Sequence, residues 1–309
     1  MIMNRRTALG ILGVTPLAAG AFLSGSERFR RRTTVADYLL VHGAWHGAGH
    51  WAPLAGLLAA RGHRVLALDL PGHGMSARFP VGYFAAGQPG LQSQPSPLVD
   101  VTLETAAQAV VAAARDLPRR PVLVAHSMGG AVATRAAELA PELFEHLVYV
   151  TAFVPTRLKA AGAYLALPEA KSALGAGLYL GDPAVTGAVR INPRSTDEAY
   201  LDELHAAYFT GLGPEQFLAC AAALTPDQPV SFLASDAGAT PQRWGRLRRT
   251  YVRCTLDRAL PLELQDLMIR DADHLAPHTR FAQETIESGH AAFASRTRQL
   301  ADILDAVTV

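Results

Sequence analysis

Residues 121–140 read "PVLVAHSMGGAVATRAAELA". An apolar run, a serine flanked by small residues and an alanine-rich stretch follow one another with no loop between them. That order predicts a buried strand, a sharp turn and a helix, with Ser127 at the turn. A serine hydroxyl is a weak nucleophile at neutral pH. A strained strand-to-helix turn that exposes it beside a histidine is one way to activate it. The G-x-S-x-G pattern of such turns calls for small residues two positions either side of the serine, so that strand and helix can approach closely. Gly129 meets that rule, and Ala125 adds one methyl group at the other position. This strains the pattern without forbidding it, because the sharpest backbone constraint falls on Ser127. The helix start also turns peptide N–H groups, that of Met128 among them, toward the place where a developing negative oxygen would sit.

Outward from this segment, "DYLLVHG" (37–43), "RVLALDL" (64–70), "EHLVYVT" (145–151), "TYVRC" (250–254) and the weaker "RFAQETIE" (280–287) read as strands. They alternate with helical patterns over 51–60, 102–115 and 261–269, and a last helix begins near Ser295. The alternation predicts an α/β fold, a mostly parallel sheet of about six strands flanked by helices. From 153 to 248 the strand rhythm stops. Helix formers such as "DEAYLDELHAAYF" (197–209) and "GPEQFLACAAAL" (213–224) are separated there by Pro and Gly, which predicts an inserted helical cap. The expected organisation is a tail over 1–34, a core over 35–152 and 249–309, and the cap over 153–248. Residues 77–100 lack periodicity and are too long for an idle connection, so they either flank the site or are mobile.

At 309 residues the chain can bury a substantial core, and 50% hydrophobic with 18% charged residues places it among ordinary globular proteins. Its net charge of +1 conceals six arginines against one glutamate in residues 1–34. The remainder is mildly acidic and gives no basic face for nucleic acid. Arg5 and Arg6 precede a weakly apolar run broken by Gly10, Gly13, Pro16 and Gly20, with Ala19-Gly20-Ala21 beyond. This is the outline of a twin-arginine export signal, too short and glycine-rich for a membrane span, so no stable membrane association is expected after cleavage. Cys220 and Cys254 make neither a disulfide framework nor a metal site and are expected to be buried as small apolar side chains.

The partners of Ser127 must follow in chain order. Asp257, just beyond "TYVRC", fits the acid; Asp227 and Asp236, near the end of the cap, are weaker choices. Asp257 also stands where it could cap the helix over 261–269. His274, His278 and His290 all follow it. Only 17 positions separate Asp257 from His274, and the helix fills most of them, whereas His290 leaves room for helix, connection and a final strand. His290 is therefore the expected base. Upstream, "VHGAWHG" (41–47) follows the first strand, and the N–H of Ala44 is the expected second oxyanion donor beside that of Met128.

In "VHGAWHGAGHW", "DLPGHG", "AHSMGG", "YVRCTLDRALPLELQ" and "ESGHAAFASRTRQLADIL" the chain resembles the alpha/beta-hydrolase superfamily, in the branch of plant methylesterases, hydroxynitrile lyases and bacterial esterases. The resemblance runs from about Leu39 to the C-terminus and supports Asp257 and His290. Hydroxynitrile lyases of this type place threonine after the oxyanion-loop histidine and lysine after the catalytic histidine. Gly43 and Ala291 stand there instead. The resemblance thus implies a cofactor-free serine esterase acting on a small to medium hydrophobic ester, and the twin-arginine segment separately predicts its export to the periplasm or beyond. The rivals are a non-hydrolytic enzyme on the same residues and a binding protein with a vestigial pocket. Phe153, Tyr164, Leu178, Tyr208, Phe209 and Phe217 are expected either to line a pocket or to form the core of the cap.

Overall fold

The computed structural model describes residues 35–307, so the twin-arginine segment lies outside the described residues. Among the described residues eight strands occur in chain order: β1 (Asp37–Val41), β2 (Arg64–Leu68), β3 (Val122–Ser127), β4 (His146–Ala152), β5 (Ala188–Arg190), β6 (Asp227–Pro229), β7 (Arg249–Cys254) and β8 (Ala282–Ile286). Six of them form one parallel sheet in the order β2-β1-β3-β4-β7-β8. Central strands β1, β3 and β4 are buried throughout, as near-continuous apolar runs covered on both faces must be. Of the edge strands, β8 is largely exposed and β2 alternates between half-buried and exposed.

Seven helices of three turns or so accompany them: α1 (Ala52–Ala60), α2 (Leu103–Asp116), α3 (Gly129–Leu139), α4 (Glu198–Tyr208), α5 (Pro214–Ala222), α6 (Leu262–Leu275) and α7 (Thr297–Val307). Thr102 caps α2, its hydroxyl accepting from Thr105 N at 3.1 Å. Glu104 in the first turn of α2 pairs with Arg135 of α3, which packs alongside.

Two departures from the sequence pattern matter for the site. The segment between β4 and β7 is not purely helical, because β5 and β6 form a separate antiparallel pair within it. Three residues per strand are too few for any periodicity to register. What joins them is Arg190 and Asp227, opposite one another in the ladder and both fully buried, with Arg190 Nε to Asp227 Oδ1 at 2.5 Å and Nη2 to Oδ2 at 2.8 Å. Residues 77–100 are tied to the same place: Arg190 Nη1 donates to the carbonyls of Leu91 (2.5 Å) and Gln94 (2.9 Å), and Ser96 N donates to Thr186 O (2.7 Å). These long-range bonds anchor a segment of successive turns closed by local bonds such as Ala85 N to Gly82 O (3.0 Å) and Gln94 N to Gly90 O (2.9 Å).

Candidate active site

Ser127 ends β3 with φ +52°, a left-handed conformation that costs a non-glycine residue energy and that a strand-to-helix elbow imposes. The neighbouring glycines are required by close approach. A Cβ on Gly129 would lie 2.4 Å from His42 O, and one on Gly130 2.1 Å from Phe153 O. A Cβ on Gly43 would lie 2.8 Å from Ser127 Cβ. Ala125, by contrast, sits in the sheet between Val41 and Tyr149 with its methyl group wholly buried.

The ladder between β3 and β4 slips at this point. His126 pairs with Val150 and Ser127 with Ala152, so Thr151 is the extra residue, at φ +36°. Its hydroxyl donates to Asp257 Oδ2, which also receives His290 Nδ1 at 2.7 Å. Asp257 Oδ1 accepts from the N–H groups of Ala259 (2.8 Å) and Leu260 (2.9 Å). Helix α6 starts beyond Pro261, so Asp257 closes the turn before the helix rather than capping it. An ionised carboxylate only accepts, so Nδ1 of His290 carries the proton and Nε2 is the free basic nitrogen. The ring packs against those of His126 and Tyr208, with centroids 4.6 and 5.7 Å away, and His126 Nε2 lies 3.0 Å from the main-chain O of His290.

The loop after β1 is fixed in a comparable way. Leu70 N donates to His42 Nε2 at 3.1 Å, which leaves Nδ1 to donate to Gly43 O at 2.8 Å. That carbonyl belongs to the peptide whose N–H is that of Ala44, so His42 sets the plane of this donor. Trp45 follows at φ +62°, its O accepting from Thr225 N and its Nε1 donating to Val189 O. Among the described residues the N–H groups of Ala44 and Met128 donate to nothing. Both residues line a cavity of about 250 Å³ together with Ser127 and His290. Most of the remaining wall is apolar, including Phe153, Leu165, Leu233 and Leu260.

The other sequence candidates fall elsewhere. His274 and His278 are exposed near the end of α6. Asp236 is exposed, 3.4 Å from Lys159, and Asp227 is bound to Arg190. Of the six cap residues, Phe153 and Tyr208 line the cavity, while Tyr164, Leu178, Phe209 and Phe217 are buried in the core. Cys254 is buried and Cys220 half-buried. Among the described residues no group of three His, Cys, Asp or Glu is placed to hold a metal ion. Sequence reasoning missed Thr151 and Gln228; neither lies in a motif, and only the strand slip and the β5–β6 pair bring them to the site.

The imidazoles around the site have an acid cost. Burial pushes His42, His46 and His126 well below the usual 6.5, and neighbouring imidazoles push the same way. Burial also lowers His50 and His73, and lowers His146 to about 4, with Arg248 and Arg249 adding to the last. The unfolded chain binds these protons first, so the stability is complete above about pH 6.5 and is lost as pH falls toward the folded values. His146 alone should remove about 3 kcal/mol by pH 4. Melting curves should show Tm declining steadily below pH 6.5; a flat Tm from pH 7 to pH 5 would contradict this.

A model of the alpha/beta hydrolase family matches residues 38–303. Methylesterase 9 of Arabidopsis thaliana is 26% identical over 280 residues, which cover 86% of this chain and 96% of that protein. Salicylic acid-binding protein 2 of Nicotiana tabacum is 27% identical over 254 residues, covering 77% and 90%. Among solved structures, a pyrethroid hydrolase from Sphingobium faniae JZ-2 is similar with a TM-score of 0.68 at 21% identity, covering 89% of this chain and 98% of that one.

Proposed function

Since the chain belongs to the alpha/beta hydrolase family, we propose that it is a carboxylic ester hydrolase in which Ser127 is the nucleophile, His290 the base and Asp257 the acid. The observation that carries this reading is the His290–Asp257 pair, at 2.7 Å, on the same cavity as a serine held at φ +52°. The likeness to proteins named methylesterase supports the ester as substrate class. The apolar wall favours a small to medium hydrophobic ester.

In this mechanism Ser127 Oγ attacks the ester carbonyl carbon while its proton passes to His290 Nε2. The carbonyl oxygen becomes negative and is held by the N–H groups of Ala44 and Met128, each such donor contributing roughly 100- to 1,000-fold in rate. The C–O bond to the alcohol then breaks, and the proton on Nε2 leaves with the alcohol. Water attacks the acyl-enzyme, gives its proton to Nε2, and the proton returns to Ser127 as the acid departs. Asp257 holds Nδ1–H throughout and stabilises the imidazolium. The test is hydrolysis of graded 4-nitrophenyl esters by the wild type and by Ser127→Ala. Export through residues 1–34 is proposed as well, and the mass of the mature protein outside the cytoplasm checks it.

Thr151 is a positioning residue in this scheme, since it reaches the reaction only through Asp257. Thr151→Val removes one donor to Oδ2 and leaves the imidazole less firmly oriented. We expect kcat to fall about tenfold with KM little changed. Thr151→Ser should restore most of the rate, and equal kcat in the valine and parent enzymes would remove Thr151 from the mechanism.

A further inference from the structure

Of the β5–β6 residues that line the cavity, Val189 is apolar and Gln228, directly opposite it in the ladder, is not. Gln228 is 2% exposed, and its Nε2 is buried with no hydrogen-bond partner. The polar groups beside it in the ladder are satisfied. Arg190 and Asp227 bind each other through two hydrogen bonds, and Trp45 Nε1 donates to Val189 O at 2.9 Å. Six other buried side-chain nitrogens among the described residues also lack a partner, His73 Nε2 near Asp227 among them, but of the seven residues Gln228 alone lines the cavity. Burying an amide without a partner is unfavourable, and such groups persist where a bound molecule supplies the missing bond.

We propose that Gln228 is a specificity-determining residue that donates a hydrogen bond to a carbonyl or ether oxygen carried by the substrate apart from its scissile ester. The inference rests on the ester-hydrolase reading and narrows it. Val189 and Leu233 accept the methylene portion of such a molecule, and Gln228 supplies the one directional bond that a purely alkyl ester cannot use. A site built around a buried polar group discriminates against the analogue lacking its partner, because binding that analogue leaves the group unpaired.

The experiment uses 4-nitrophenyl alkanoates and matched esters in which one methylene, at successive positions along the acyl chain, is replaced by an ether oxygen or a carbonyl. In the full-length protein one position of the oxygen should raise kcat/KM about tenfold over the plain alkanoate. Gln228→Leu should bring the ratio of kcat/KM between the oxygen-bearing and plain members to about one, and its Tm should not fall, since an unpaired amide has been replaced by a buried apolar group. Gln228→Met, closer in shape, should behave likewise. A wild-type enzyme indifferent to the oxygen at every position, or a preference that survives in both variants, overturns the assignment. Failure to hydrolyse any ester would instead sink the ester-hydrolase reading. The same matched pairs, read as ligand-induced shifts in Tm of parent and Gln228→Leu, then decide Gln228 separately: a larger shift from the oxygen-bearing member in the parent alone supports it, and equal shifts overturn it.

Discussion

Ser127→Ala is expected to lower kcat for 4-nitrophenyl ester hydrolysis by roughly four to six orders of magnitude, with Tm close to that of the parent. The substitution removes one hydroxyl and keeps the Cβ that Gly43 packs against. The elbow, the cavity and the two free N–H donors should therefore survive. What remains would be the modest acceleration that binding and an oxyanion site give to attack by water. Labelling by a fluorophosphonate should disappear in parallel, and peptide mapping of the labelled parent should place the adduct on Ser127. A variant that retained the parent rate would show that hydrolysis proceeds elsewhere. A parent protein that binds esters but takes no label would point to the vestigial-pocket reading.

Asp227→Ala should destabilise the protein by about 3–5 kcal/mol, the usual cost of leaving a buried charge without its partner. Arg190 and Asp227 are both fully buried, and the guanidinium has no other acid within ion-pair distance among the described residues. At roughly 2–4 °C per kcal/mol for a domain of this size, Tm should drop by about 6–20 °C. Arg190 also holds Leu91 and Gln94 by their carbonyls, so the loss should loosen residues 77–100 together with the β5–β6 pair. Limited proteolysis should then cut first in that segment. The control is Arg190→Met combined with Asp227→Leu, which removes both charges and should recover most of the loss. Destabilisation under 1 kcal/mol in the single variant would show that the pair is not the latch described. If Asp227 instead served as the acid of the triad, its conservative Asp227→Asn variant would lose kcat with Tm unchanged.

The centre of the parallel sheet was legible because β1, β3 and β4 are nearly continuous apolar runs, and burial on both faces leaves each of them a local signature. The elbow was legible for a related reason. "AHSMGG" places small residues where the ends of β1 and β4 press against the chain, and the glycine contacts account for that spacing. Ala125 departs from the familiar pattern because its methyl group fits inside the sheet, whereas Gly129 and Gly130 face backbone carbonyls. The identity of the base was harder to read. Spacing favoured His290, but the exposure of His274 and His278 and the 2.7 Å bond to Asp257 are properties of the folded chain.

The sequence by itself determined the order of the six strands of the parallel sheet and the strained serine between β3 and α3, because each depends on neighbours within a few positions. Only the tertiary structure decided that Thr151 slips out of the ladder to reach Asp257. It alone decided that Asp227 belongs to Arg190 and that Gln228, with its amide nitrogen unpaired, lies on the cavity wall. These depend on contacts between residues about 40 to more than 100 positions apart. A three-residue strand or a single bulge carries too little pattern of its own to announce them.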